Sequence, residues 1–472
     1  MGAVVIYPGG FMRSNFHLLY YLISLAVIST NTSVNAQDNS KKIGLKEVAK
    51  RAKLPFKIGT AVNFYGQKDK SGPYAPGILS GTNSDAVRDA AHEAILNRDF
   101  NLIQTGNELK MFGIWKGVKR DEAGKLTAVC DFNNLKLMAD YAIPRKLSLR
   151  GHVIVYNAFY QLPQSLFNIE WSKQTAALKP EFTPQDLRDA LHSYVSQVVH
   201  ETLAVNATAR RKHRIKKLFV AWDVVNEAVA DDDSSNGANG FKYPKNDAWH
   251  DAGPKGVGGD SFGYDYVSDV FKWTEEEMLK SIALKAEGVT EADRFSLYYN
   301  DFSGEWNPKK WEAMKNLVKH IKETGGRVDG MGFQTHLLAN KGDVSAFQLD
   351  ASIKESIALG LRFSITECDF RIRFDSKEGT LEQQRAWQAK NYADTVKLCK
   401  RYSKSCDLLQ VWGFLDDGSW IPSVFAGWGE ATLYTGWNSL QNNYVAKEGK
   451  DENGAAYSSF RDALKSKKSE VN

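Results

Sequence analysis

The chain has 472 residues, 43% hydrophobic and 25% charged, an ordinary globular balance that gives no case for a disordered or fibrous protein. Its 61 Lys+Arg against 56 Asp+Glu leave a net charge of +5, too mild an excess to suggest nucleic acid as a partner. The length allows two or three domains, or one large barrel.

The N-terminus predicts an export leader. Arg13 is the first charged residue, and an apolar stretch from Leu18 to Ile28 follows, too short to span a bilayer. Val34-Asn35-Ala36 resembles a signal-peptidase site. The expected leader is residues 1–36, with Met12 as an alternative start, and Gln37 opens a mature protein that is secreted, whether to the periplasm or outside the cell. No cysteine follows the cleavage point to take a lipid anchor, and no later segment is apolar enough to span a membrane.

Eight short apolar runs come next in chain order: Phe56–Val62, Phe100–Thr105, Leu149–Val155, Leu218–Asp223, Phe295–Tyr299, Met331–Gln334, Arg362–Thr366 and Leu408–Gly413. Several are rich in Val, Ile and Phe, as strands covered on both faces should be. Amphipathic stretches separate them. Pro184–His200 and Pro308–Thr324 are the clearest helices, each opening with Thr or Asn before Pro. Strand and helix alternating in this way predict an α/β fold, a single (β/α)8 TIM barrel, over residues 37–472. Two long loops, Tyr65–Asn83 and Ala230–Asp265, follow the first and fourth strands, on the face where barrel active sites sit. The basic run from Arg210 to Lys217 reads as a solvated helix end. Of the four cysteines, Cys399 and Cys406 are the candidate disulfide, while Cys368 reads as a small buried residue. No metal-ligand spacing occurs, so no metal or cofactor is expected.

Polar and aromatic residues gather at the strand ends. They are Asn107 and Lys110 after the second, His152, Tyr156 and Asn157 on the third, Asn226 and Glu227 on the fourth, and Asn300 and Asp301 on the fifth. Gln334 and His336 end the sixth, Glu367 the seventh, and Trp412 and Trp420 the eighth. Amides read sugar hydroxyls by paired hydrogen bonds, and indoles cover the apolar faces of sugar rings. Two carboxylates on separate strand ends suit attack on a glycosidic bond.

The segments Trp222-Asp223-Val224-Val225-Asn226-Glu227-Ala228, Gln334-Thr335-His336-Leu337, Ile365-Thr366-Glu367-Cys368-Asp369 and Val411-Trp412-Gly413-Phe414-Leu415-Asp416-Asp417-Gly418-Ser419-Trp420 together resemble glycoside hydrolase family 10, the endo-β-1,4-xylanases. The resemblance implies that Glu227 is the acid/base and Glu367 the nucleophile. It implies that Asn226 holds the 2-hydroxyl of the attacked sugar and that His336, with Gln334 nearby, holds the nucleophile. Asn107, Lys110, His152, Tyr156, Trp412 and Trp420 would bind sugar. Carboxyl groups about 5–5.5 Å apart would then give a retaining double displacement. The implied partner is xylan, and a monomer is expected.

Three positions depart from the family pattern. Gly106 stands where the family usually has Glu, Tyr156 and Asn157 where it has Trp-His, and Met111 where it has Trp. These changes open the glycone-side surface and suggest a decorated or different sugar there. A non-catalytic carbohydrate-binding homologue would not need both Glu227 and Glu367. Gly259-Asp260-Ser261-Phe262-Gly263 fits G-x-S-x-G, but lies in a glycine-rich loop rather than at a strand–helix turn.

Overall fold

A computed structural model describes residues 43–68, 73–81, 84–230, 248–251, 265–340, 348–375, 377–450 and 452–467. The expected leader and the Gly259–Gly263 match lie outside these residues.

Eight strands form the barrel: β1 Lys57–Val62, β2 Leu102–Thr105, β3 Ser148–Tyr156, β4 Phe219–Asn226, β5 Ser296–Asp301, β6 Gly330–Phe333, β7 Arg362–Arg373 and β8 Cys406–Val411. Each pairs in parallel with the next, β8 pairs with β1, and the sheet closes on itself. All eight lie where the apolar runs predicted them. Both faces of each strand are covered, so their residues are almost continuously buried.

A helix follows every strand: α1 Ala86–Asp99, α2 Asn133–Arg145, α3 Pro184–His213, α4 Asp265–Ala283, α5 Pro308–Glu323, α6 Leu349–Ala358, α7 Leu381–Arg401 and α8 Ala456–Lys465. Their starts are chemically marked. Asp85 accepts the N–H groups of Val87 and Arg88, Thr183 and Asp186 form a capping box on α3, and Thr380 and Gln383 form one on α7. α3 runs past the expected His200, because its buried stripe continues through Leu203, Asn206, Ala207 and Ala209. It stops where Arg214 turns left-handed at φ 57°. Part of the basic run is therefore structural. Arg210 grips the fully buried Asp293 through two nitrogens at 2.9 and 2.8 Å.

The cysteines correct one expectation. All four are free thiols. Cys399 near the end of α7 and Cys406 at the start of β8 are fully buried, and the Cys406 thiol donates to the Leu408 carbonyl at 3.6 Å instead of forming the expected disulfide. The helix–strand turn does bring the pair together. Burial pushes the Cys406 thiol well above its usual range and keeps its reactive thiolate scarce.

Two features prepare the site from below. A Cβ at Gly151 would lie 1.9 Å from the Trp222 ring, so the close approach of β3 to β4 requires glycine there. Next to it, buried Asp223 receives Arg150 Nε at 3.2 Å and faces His152 Nδ1 at 2.9 Å. Burial alone would raise the Asp223 carboxyl, but Arg150 and His152 hold it below the usual carboxylate range.

Candidate active site

The C-terminal ends of the strands enclose a cleft of about 620 Å³. Every site residue expected from the sequence lines it: Asn107, Lys110, His152, Tyr156, Asn226, Glu227, Gln334, His336, Glu367, Trp412 and Trp420.

Glu227 enters from the tip of β4. The chain turns left-handed there at φ 53°, an unusual conformation for a side-chain-bearing residue, and the Glu227 N–H bonds the Asn300 carbonyl at 2.9 Å. Its two carboxyl oxygens have different partners. Oε1 accepts Asn226 Nδ2 at 2.9 Å and Gln334 Nε2 at 2.7 Å. Oε2 accepts the Tyr156 hydroxyl at 2.7 Å.

Glu367 enters from β7 and is 4% exposed, so it needs partners to remain charged. Oε1 accepts Asn300 Nδ2 at 2.8 Å, and Oε2 faces His336 Nε2 at 3.2 Å. Burial raises the carboxyl, but the His336 hydrogen bond and the nearby His152, His336 and Lys110 hold it below the usual range. His336 in turn places Nδ1 at 2.8 Å from Asp369 Oδ2. Burial pushes its imidazole down, but Asp369 and Glu367 outweigh this and lift it to about 10. It is therefore a cation at neutral pH, donating from both nitrogens. Trp420 Nε1 donates to the same Asp369 oxygen at 2.9 Å, which ties the indole to the histidine.

Amides connect the two carboxylates. Asn300 Nδ2 donates to Asn226 Oδ1 at 2.8 Å as well as to Glu367, and Asn226 donates to Glu227. Thr366 Oγ1 orients Asn300 by donating to its Oδ1 at 2.7 Å. Lys110 Nζ donates to Asn107 Oδ1 at 3.2 Å. Burial lowers the Lys110 ammonium, while Glu367, Glu227 and Glu108 pull it back up.

The structure adds participants that the sequence reading left out of the site. Asn300 stood at a strand end, and Asp223 and Asp369 lay inside the quoted motifs, yet none could be assigned without knowing its neighbours. Tyr160, Trp306 and Arg371 line the same cleft from loops and a strand extension and carried no local signal. At Gly106 the cleft is open, for an added Cβ would meet Asn63 Oδ1 at 3.4 Å and little else.

The geometry agrees with the comparisons to known proteins. The family model described as "Glycosyl hydrolase family 10" matches residues 74–448. Endo-1,4-beta-xylanase B of Thermotoga neapolitana is 25% identical over 359 residues, covering 76% of this chain and 83% of the relative. Endo-1,4-beta-xylanase C of Phanerodontia chrysosporium is 27% identical, covering 74% and 70%. Among solved structures, xylanase 10B from Thermotoga maritima superposes with a TM-score of 0.61 at 24% identity, covering 91% of this chain and 99% of that one. That likeness supports the fold. The match across 74–448 is broad enough to decide the family: the chain belongs to glycosyl hydrolase family 10.

Proposed function

We propose that this protein is an exported, retaining endo-1,4-β-xylanase, with Glu227 as acid/base and Glu367 as nucleophile. One observation carries the assignment of roles. The two carboxyls share one cleft and one amide network, but only Glu367 faces the His336 cation. A nucleophile must be ionised, and His336 keeps Glu367 so. Glu227 receives neutral donors, as suits a group that must alternate between acid and base.

In the first step Glu367 attacks the anomeric carbon while the proton of Glu227 goes to the departing glycosidic oxygen. In the second, Glu227 takes a proton from water, whose oxygen displaces Glu367. Asn226 would hold the 2-hydroxyl of the attacked sugar. Asn107, Lys110, His152, Gln334, Trp412 and Trp420 would hold the rest. The relatives named as endo-1,4-beta-xylanases support xylan as substrate, and the leader pattern supports export. Purified residues 37–472 should release short xylo-oligosaccharides from glucuronoxylan and arabinoxylan, whereas Glu367→Ala should release none. Absence of products from both polymers rejects the reading. The opening at Gly106 favours a second reading, a decorated or non-xylose β-linked polymer, which a product profile on mixed-linkage glucan and cellulose would distinguish.

A further inference from the structure

The two oxygens of Glu227 are not equivalent, and the difference points to Tyr156. Oε1 is occupied by two amide N–H groups, from Asn226 and Gln334, at 2.9 and 2.7 Å. An amide nitrogen only donates, so a proton placed on Oε1 would face two donors. Oε2 has the Tyr156 hydroxyl at 2.7 Å. A hydroxyl both donates and accepts, so it tolerates either protonation state of its neighbour. The Tyr160 ring lies edge-on to that of Tyr156 at 6.4 Å and is 41% exposed where it lines the cleft.

We propose that Tyr156 is a positioning residue for proton transfer. It selects Oε2 of Glu227 as the oxygen that carries the proton, and it stabilises the carboxylate that remains after the proton leaves. In the glycosylation step the Oε2 proton passes to the glycosidic oxygen, the C–O bond breaks with its electron pair on that oxygen, and a new C–O bond forms to Glu367. The charge left on Glu227 is met by the Tyr156 O–H, already directed at Oε2. Tyr156 transfers no proton itself. Burial and the Glu227 charge keep its phenol neutral by raising it well above the usual range. This role rests on the acid/base assignment made above. It differs from the sugar contact expected of Tyr156 from the sequence.

The test is the pH dependence of kcat/KM in Tyr156→Phe, on a xylo-oligosaccharide and on an aryl xylobioside with an activated leaving group. Glu367 and Lys110, which share the cleft, and Asp301 at the end of β5 remain in the variant. Removing a donor that favours the ionised form should move the alkaline limb up by about one pH unit. The rate loss should be about tenfold on the oligosaccharide and much smaller on the activated substrate, which needs little acid assistance. Replacing Tyr156 with 3-fluorotyrosine keeps the shape and strengthens the donor, so the limb should move down. That variant also serves if Tyr156→Phe does not fold. An unmoved limb with KM raised equally on both substrates makes Tyr156 a sugar contact and overturns the proposal. A wild-type chain that cleaves neither substrate instead rejects the xylanase reading, and this role falls with it.

Discussion

His336 Nε2 stands 3.2 Å from Glu367 Oε2, while Nδ1 of the same ring stands 2.8 Å from Asp369. Strand register creates this relay. β7 continues beyond the expected Thr366 to Arg373, and this extension pairs with His336–Leu338, placing His336 opposite Asp369. Asp369 fixes the cation, and the cation fixes the charge of the proposed nucleophile.

His336→Asn should therefore cost kcat/KM about 10–100-fold, as loss of a charged hydrogen bond at the reacting carboxylate would. Glu367, held below its usual range partly by His336, would need a higher pH to ionise, so the acid limb of the profile should move upward. An unchanged acid limb would separate His336 from the nucleophile.

The same histidine contributes to stability with a defined sign. Folding raises it from 6.5 to about 10. Its contribution is fully present below pH 6.5 and is lost as pH rises through 10. Wild type should lose melting temperature between pH 8 and 10 more steeply than His336→Asn.

Glu305 also lowers stability as pH rises, but over a lower pH window. It is 1% exposed and accepts the Thr335 N–H at 2.7 Å. Burial lifts its carboxyl from 4.5 to about 7, against the pull of backbone donors, Lys310 and His336. Between these values the unfolded chain is ionised and the folded chain is not, so stability falls as pH rises. Glu305→Gln should be neutral at pH 4 and raise stability by ~1–3 kcal/mol at pH 8, measured by chemical denaturation. Equal effects at both pH values would refute this account.

Glu227→Ala should lower kcat/KM on xylan by about 10²–10⁴. The loss should be far smaller in forming the glycosyl–enzyme from an activated aryl xylobioside, and added azide should restore turnover with a β-xylosyl azide product. Equal losses on both substrates would remove Glu227 from the acid role.

Gly106→Glu should improve activity on unsubstituted xylan, because the added carboxylate enters open space near Asn63 and can grip sugar hydroxyls. Unchanged or lower activity would mean that the cleft compensates elsewhere.

Much of this protein was legible in its sequence, because the barrel's information is local. Each strand is a short apolar run, and the chemistry-bearing residues follow within a few positions, so the eight strands and eleven of the residues that line the cleft could be read from the chain. The disulfide failed because proximity in sequence brought Cys399 and Cys406 together without specifying a bond. The far end of α3 was missed because small buried residues extend its stripe without an evident apolar period.

The sequence by itself determined the fold and the pair of carboxylates. Tertiary structure alone decided how they differ. Asn300 joining two strands' residues, Asp369 opposite His336 and Tyr156 on Oε2 of Glu227 are contacts between elements distant in the chain. Such contacts depend on strand register and side-chain direction, which closure of the barrel imposes and no local pattern encodes.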